Sequence, residues 1–321
     1  MPPMVTVDVA GGPMGGAARF RAELAGYLAR TRRSDVQVIG TGRQVDPAWL
    51  VRRELVGRAR GRRVALNNVS FISPGAERWT LLRNPLDFLS ELELSQVSRQ
   101  ARASTVMRAS VIHGAARRAD VIVVPTNGMA ERVVRVLPGV QDRVVVRPHP
   151  VSVDAIPNAV RRPAILCPVL FSPYKGMAER LIDLLRVMDA ILEPEVSLWV
   201  TATESEVPAQ LRASPRTELV GRLDHRDLRQ LWMSSQAIYF PTDVESFGYP
   251  LAEARVSGLA VIALDTAQNR EVAGPALCGF VADRPGSLED AVQAAMTKEI
   301  RPDPAPFEPD SYFDWLLGTE T

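Results

Sequence analysis

Residues 240–258 read FPTDVESFGYPLAEARVSG, and this stretch decides the fold. The run leading into it, Ala237-Ile238-Tyr239-Phe240, is β-rich and ends at Pro241. A polar loop follows, then an Ala/Leu-rich helix from about Pro250, since proline is favoured at the first helical position, where its missing N–H is no loss. Gly258 stops the helix, and Leu259–Leu264 begins the next buried strand. Glu245 and Glu253 therefore flank a loop that becomes a helix N-terminus. Such a terminus offers backbone N–H groups and partial positive charge, which suits an anion.

The rest of the chain repeats this alternation. Strands are expected at Met4–Val9, Val36–Gly40, Arg63–Leu66, Thr80–Arg83, Asp120–Pro125 and Arg143–Arg147, with helices at Ala17–Arg30, Glu91–Arg118 and Gly128–Leu137. After Pro148-His149-Pro150, which has neither helical nor strand period and reads as a hinge, a second series begins. Its strands are expected from Ala164 and at Val196–Thr201 and Glu218–Gly221. Its helices are expected at Met177–Ala190, Glu204–Arg212, Arg226–Met233 and Ser287–Lys298, with a turn through Asn269, Arg270 and Glu271. Strands alternating with helices predict an α/β chain of parallel, doubly wound sheets. Between Met4–Val9 and the first helix lies a glycine loop, Gly11-Gly12-Pro13-Met14-Gly15-Gly16. Strand, glycine loop and helix can bring backbone close to a phosphate, although the spacing is neither Gly-x-Gly-x-x-Gly nor a P-loop.

Composition narrows the class. The chain has 321 residues, 46% hydrophobic and 23% charged, with a formal charge of +1. It is long enough for two domains, and no global field argues for nucleic acid. Two cysteines, Cys167 and Cys278, argue against a disulfide scaffold. No apolar run approaches the roughly eighteen residues of a membrane span, and no signal peptide is evident, so the expected location is cytoplasmic. Three scattered histidines and no cysteine cluster leave no metal site. Of 38 basic residues only Lys175 and Lys298 are lysines. The densest charge run holds Arg52, Arg53, Arg58, Arg60, Arg62 and Arg63. It reads either as a solvated face or as a basic patch for an anionic acceptor or the inner face of a membrane, a peripheral contact.

The opening stretch resembles the signature of glycosyltransferase family 4 (glycosyl transferases group 1), the retaining sugar transferases of GT-B fold. The matching residues are Pro241-Thr242, Glu245, Phe247-Gly248, Pro250, Glu253-Ala254 and Gly258, with Thr242 in place of the usual serine. The resemblance implies two Rossmann-like domains facing a cleft: an acceptor-side domain at 1–150 and a nucleotide-sugar domain at 151–300. A tail at 301–321, with Tyr312, Phe313 and Trp315, would pack back on the first. It implies a nucleoside diphosphate sugar as donor, no cofactor, no metal, and a saccharide, lipid-linked glycan, small molecule or protein as acceptor.

By the same resemblance Lys175 and Glu245 carry the catalytic role, Lys175 through the lysine–glycine pair Lys175-Gly176 at the diphosphate. Glu253 holds the ribose hydroxyls, and Phe247, Gly248, Tyr249, Gly15 and Gly16 complete the donor contacts. Arg83 and Asn84 are candidate contacts with acceptor or phosphate, while His113 reads as structural and His225 as a surface or capping residue. Two further positions depart from the family pattern: His149 stands where asparagine is usual, and Leu170 stands where a second cation is usual, for which Arg83 is a candidate substitute. A sugar-nucleotide epimerase and a non-catalytic nucleotide-sugar-binding protein are the alternatives. A glycosidase is disfavoured, because no two carboxylates read as flanking a cleft.

Overall fold

The computed structural model describes residues 4–12, 15–56, 61–96, 99–152, 160–168, 177–242 and 244–318. They form two units, residues 1–150 with 307–321, and residues 151–306. Each has its own six-stranded sheet, and all the strand pairs are parallel. Parallel strands are covered on both faces, so their sequences are apolar runs rather than alternations. Ala237–Phe240 reads AIYF and is buried at all four positions.

In the first unit the strands are β1 (Val5–Asp8), β2 (Val36–Ile39), β3 (Arg62–Ala65), β4 (Glu77–Leu81), β5 (Val121–Val124) and β6 (Val144–Val146). The helices are α1 (Gly15–Thr31), α2 (Pro47–Val56), α3 (Glu91–Gln96), α4 (Arg99–Ala116) and α5 (Asn127–Val136). The sheet order is β2-β1-β3-β4-β5-β6. The chain goes outward from β1 to β2, then returns to the other side of β1 to place β3. The order thus reverses between β1 and β3, and ligands of open parallel sheets bind beyond the strand ends at such a reversal.

The second unit is again a parallel sheet, in a different strand order, with β7 (Ala164–Cys167), β8 (Ser197–Val200), β9 (Thr217–Leu219), β10 (Ala237–Phe240), β11 (Ala260–Leu264) and β12 (Leu277–Phe280). Its helices are α6 (Met177–Ile191), α7 (Ala209–Ala213), α8 (His225–Ser234), α9 (Tyr249–Ser257), α10 (Ala267–Ala273) and α11 (Ser287–Thr297). The order β12-β11-β10-β7-β8-β9 puts its reversal between β7 and β10.

The last helix, α12 (Pro309–Leu317), belongs to the first unit. Phe313 is fully buried, edge-on to Phe20 at 5.6 Å and beside Tyr27 at 5.2 Å, while Trp315 meets Trp79 at 4.9 Å. Tyr27 Oη donates to Asp314 at 2.6 Å. The end of the helix is satisfied by Arg62, which donates to the carbonyls of Trp315 (3.1 Å) and Leu316 (2.7 Å).

Several expected elements differ, each for a local reason. The expected helix 91–118 is two helices, and α3 opens on a capping box in which Ser90 and Glu93 bond each other's backbone N–H. The expected helix 204–212 breaks at Pro208, which cannot extend a helical ladder, into a 3-10 turn at Glu204–Glu206 and α7. The expected turn at Asn269–Glu271 lies inside α10, capped by Thr266, whose Oγ1 accepts from Asn269 N at 3.1 Å. Strand β4 runs Glu77–Leu81, three residues earlier than Thr80–Arg83 would begin. Helix α2 and strand β12 have no counterpart in the sequence reading. Among the described residues no helix is long and apolar enough to cross a membrane.

Candidate functional site

In the second unit the connection from β10 to α9 carries most of the residues singled out by the sequence. Phe247 is 2% exposed and stands edge-on to Tyr249, ring centres 5.2 Å apart. Its burial pins the middle of the connection, with Glu245 and Glu253 half-buried on either side. Gly248 caps α9 with φ +78°, and its carbonyl accepts from Leu251 N at 2.9 Å. A Cβ there would stand 3.0 Å from Leu251 Cδ1 and 3.2 Å from Phe240 Cε1, in a conformation costly for any L side chain. Glycine at this position offers no side chain of its own to cap α9.

Helix α9 is held rigidly behind this turn. Arg255 gives Asp303 two charge-assisted bonds, 2.9 and 2.6 Å, and reaches the carbonyls of Glu271 and Val272. Gly258 ends the helix, its N–H directed at the Ala254 and Arg255 carbonyls. Lys175, with Tyr174, Gly176 and Leu170, lies outside the described residues. The strand before it, β7, pairs in parallel with β10, and Tyr239 Oη donates to Arg180 O in the first turn of α6 at 3.0 Å. The connections after β7 and β10 thus leave neighbouring strands at the reversal of strand order. Cys167, at the end of β7, is buried and its thiol pKa is pushed up by desolvation, so it is no nucleophile.

In the first unit Gly15 and Gly16 open α1 and are exposed, while Pro13 and Met14 lie outside the described residues. Below the loop sits a polar network that sequence reading missed. Asp8, fully buried, accepts from Ala10 N (3.0 Å) and Trp49 Nε1 (3.1 Å) through Oδ1, and from Arg53 Nη1 (2.9 Å) and Asn67 Nδ2 (2.7 Å) through Oδ2. Arg53 is 1% exposed and also donates to Ser70 O at 2.6 Å. Gly40 packs against this network: a Cβ there would stand 2.5 Å from Asp8 Oδ1 and 2.9 Å from Ala10 N.

Within the arginine run, Arg53, Arg62 and Arg63 are held inside the unit rather than left as a solvated face or a free basic patch. Arg53 is a core residue, and Arg62 pairs with Glu77 at 3.0 Å, lies over the Trp79 ring and satisfies the end of α12. Arg63 is half-buried, its guanidinium 5.9 Å from the Phe71 ring centre. Arg52 is exposed, and Arg58 and Arg60 lie outside the described residues. The run looks uniform in sequence because its partners, Asp8 and Glu77, are far along the chain.

The remaining candidates, His225 apart, are tied into the first unit. Arg83 donates to Leu66 O and lies 5.0 Å from the Phe20 ring centre. Asn84 caps the 3-10 turn Pro85–Phe88 and donates to Asp87 at 2.9 Å. His113 Nε2 bonds Asp87 O at 2.7 Å. His149 is buried edge-on against Phe20 at 5.1 Å, and desolvation, with repulsion from Arg83, holds its pKa well below the ordinary value. His225 opens α8 after its cap, Asp224. Among the described residues no group of His, Cys, Asp or Glu is arranged to hold a metal.

Comparison with known proteins completes the description. Residues 200–305, which include the whole β10–α9 connection, match the model of glycosyl transferases group 1. The resemblance read from Phe240–Gly258 holds. The whole chain also superposes on WaaG, described as a glycosyltransferase involved in lipopolysaccharide biosynthesis, at TM-score 0.67 and 15% identity, covering 98% of this chain and 95% of that one. Sucrose-phosphate synthase from Thermosynechococcus elongatus gives 0.64 and 14%, covering 99% and 94%. HepE from Anabaena, in complex with UDP and glucose, gives 0.59 and 14%, covering 98% and 95%. Among curated protein sequences none matches the chain. The fold of this chain is GT-B, with the group 1 segment in its second unit.

Proposed function

We propose that this chain transfers a sugar from a nucleoside diphosphate sugar to an acceptor hydroxyl with retention of anomeric configuration. The observation that carries the reading is the Glu245–Glu253 turn at the reversal of strand order beside β7. Glu253, early in α9, accepts from the two ribose hydroxyls, which the paired oxygens of a carboxylate suit. Glu245 bonds the sugar hydroxyls. As the glycosidic bond breaks, negative charge grows on the distal phosphate of the leaving diphosphate. The N-terminus of α9 and the Lys175 ammonium offset it. That phosphate takes the acceptor proton on the same face, so no enzymatic nucleophile is needed. The group 1 match and the UDP and glucose held by HepE support a nucleotide-sugar donor.

The test is a thermal-shift panel of UDP-, GDP- and dTDP-sugars, followed by release of nucleoside diphosphate with an acceptor mixture. One nucleotide class should raise Tm, and the acceptor should accelerate release of its diphosphate. Tight binding without transfer would overturn the enzymatic reading in favour of a binding protein. Release of free sugar and nucleotide without any acceptor would favour the epimerase.

A further inference from the structure

The first unit holds a hollow of about 550 Å³ between α1 and the β2 edge, beside the glycine loop. Its volume is in the range of small-ligand sites, which run to several hundred Å³. The floor and walls are mostly apolar, with Leu24, Leu28 and Val38 among them, and Ala25 on α1 keeps the space open. One charged group lines it, Arg21. Its Nη2 donates to Gly12 O, and its Nη1 would lie 3.1 Å from a Cβ on Gly11, so the guanidinium is fixed against the glycine loop.

Several buried or half-buried arginines have a carboxylate partner. Arg53 has Asp8, Arg33 has Asp35, Arg216 has Asp189 and Arg255 has Asp303. Arg21 has no ion pair among the described residues, and no acidic residue lines the hollow. Its partial burial lowers its pKa from the ordinary value, a desolvation that an anion would offset. An apolar chamber with a single uncompensated cation at the loop end is complementary to an amphiphile carrying one anionic group.

We propose that this hollow is a ligand subsite of the first unit, taking an amphiphilic anion whose phosphate or carboxylate meets Arg21 and whose aliphatic or ring body lies on Leu24, Leu28 and Val38. The binding does not depend on the glycosyl-transfer reading. The anion can be borne by a soluble molecule or by a lipid headgroup; the chemistry at Arg21 is shared.

The experiment is calorimetry on the full chain with octyl phosphate, octanol and inorganic phosphate as probes. Octyl phosphate should bind more tightly than either fragment. Arg21→Met, which keeps the apolar stem, should weaken it about tenfold or more, as expected for one charge-assisted hydrogen bond, and leave octanol unchanged. Arg21→Lys should recover part of the loss. Ala25→Phe, which fills the space, should abolish binding of both chain-bearing probes, and Val38→Phe serves the same purpose should the first variant fold poorly. Competition by phosphatidylcholine vesicles containing phosphatidic acid assigns the anion to a lipid headgroup, and its absence assigns a soluble one; both fit the subsite. Octyl phosphate affinity equal to that of octanol, or unmoved by Arg21→Met and by both filling variants, would overturn the proposal. The nucleotide-sugar thermal shift is measured on the same samples. Its loss with octyl phosphate binding intact would sink the functional reading, and the converse would sink only the subsite.

Discussion

Each unit places a strand-to-helix connection beside the reversal of its own strand order, yet the two hold it by different physics. In the first, the end of β1 is fixed by charge: Asp8 and Arg53, 0% and 1% exposed in their side chains, bond each other and reach Ala10, Trp49, Asn67 and Ser70. In the second, the end of β10 is fixed by shape. Phe247 is buried, Gly248 adopts a left-handed conformation against Leu251 and Phe240, and Arg255 braces α9 from behind. A buried ion pair is intolerant of losing one partner, because the other is left desolvated and unpaired. A packed turn loses only contacts and can relax around a flexible side chain. The first connection is therefore the brittle one.

The largest effect tests that brittleness. Asp8→Asn keeps the shape but leaves the buried Arg53 charge only the longer contact to Glu54, 3.7 Å away, and should cost about 3 kcal/mol or more of stability by urea unfolding. A cost below about 1 kcal/mol would end the claim that charge holds this loop. The next pair sharpens the comparison by making the same change on each side. Gly40→Ala pushes a methyl into Asp8 and backbone Ala10, both rigid, and should cost about 2–4 kcal/mol. Gly248→Ala meets the movable ends of Leu251 and Phe240 and should cost about 1–2 kcal/mol. Equal losses would erase the distinction. The smallest effect depends on pH. Buried His149 stays neutral in the folded chain, while in the unfolded chain it takes a proton below about pH 6.5. Its folded pKa is depressed, so stability is intact above pH 6.5 and falls as the pH drops below it. Between pH 6.5 and 5.5 the wild type should lose roughly 1 kcal/mol more than His149→Asn, read from denaturant midpoints. Parallel pH profiles would show that His149 is not held neutral.

The same contrast explains what could be read from the sequence. The β10–α9 connection was legible because its determinants are local: Phe240, Phe247, Gly248, Pro250 and Gly258 lie within nineteen consecutive residues, and each acts on its near neighbours. The brace of Arg255 on Asp303, 48 residues away, was not. Arg53 was the least legible residue. A charged side chain is seldom fully buried, so an arginine run reads as surface, and only the folded chain brings Asp8 from 45 residues away. The Asp46-Pro47 start of α2, where Asp46 accepts from Trp49 N at 2.8 Å, was a local signal of that helix, overshadowed by the charges after it. Tyr312 and Phe313, singled out as tail anchors, are buried on the first unit, because aromatic pairs need a partner surface wherever they occur. For Lys175 the folded chain adds only its place after β7.

The central claim, that the β10–α9 turn holds the donor nucleotide, is tested most directly by calorimetry with the free nucleoside diphosphate selected by the thermal-shift panel. Wild type, Glu253→Gln and Glu245→Gln are titrated in parallel, each checked for an unchanged Tm. Glu253→Gln should lose about 1.5–3 kcal/mol of binding, the range for hydrogen bonds to a charged group, or roughly ten- to a hundredfold in Kd. Glu245→Gln should bind the free diphosphate as wild type does and lose turnover instead, because its partner is the sugar. Unchanged affinity in Glu253→Gln would contradict the account and remove the turn from the nucleotide site.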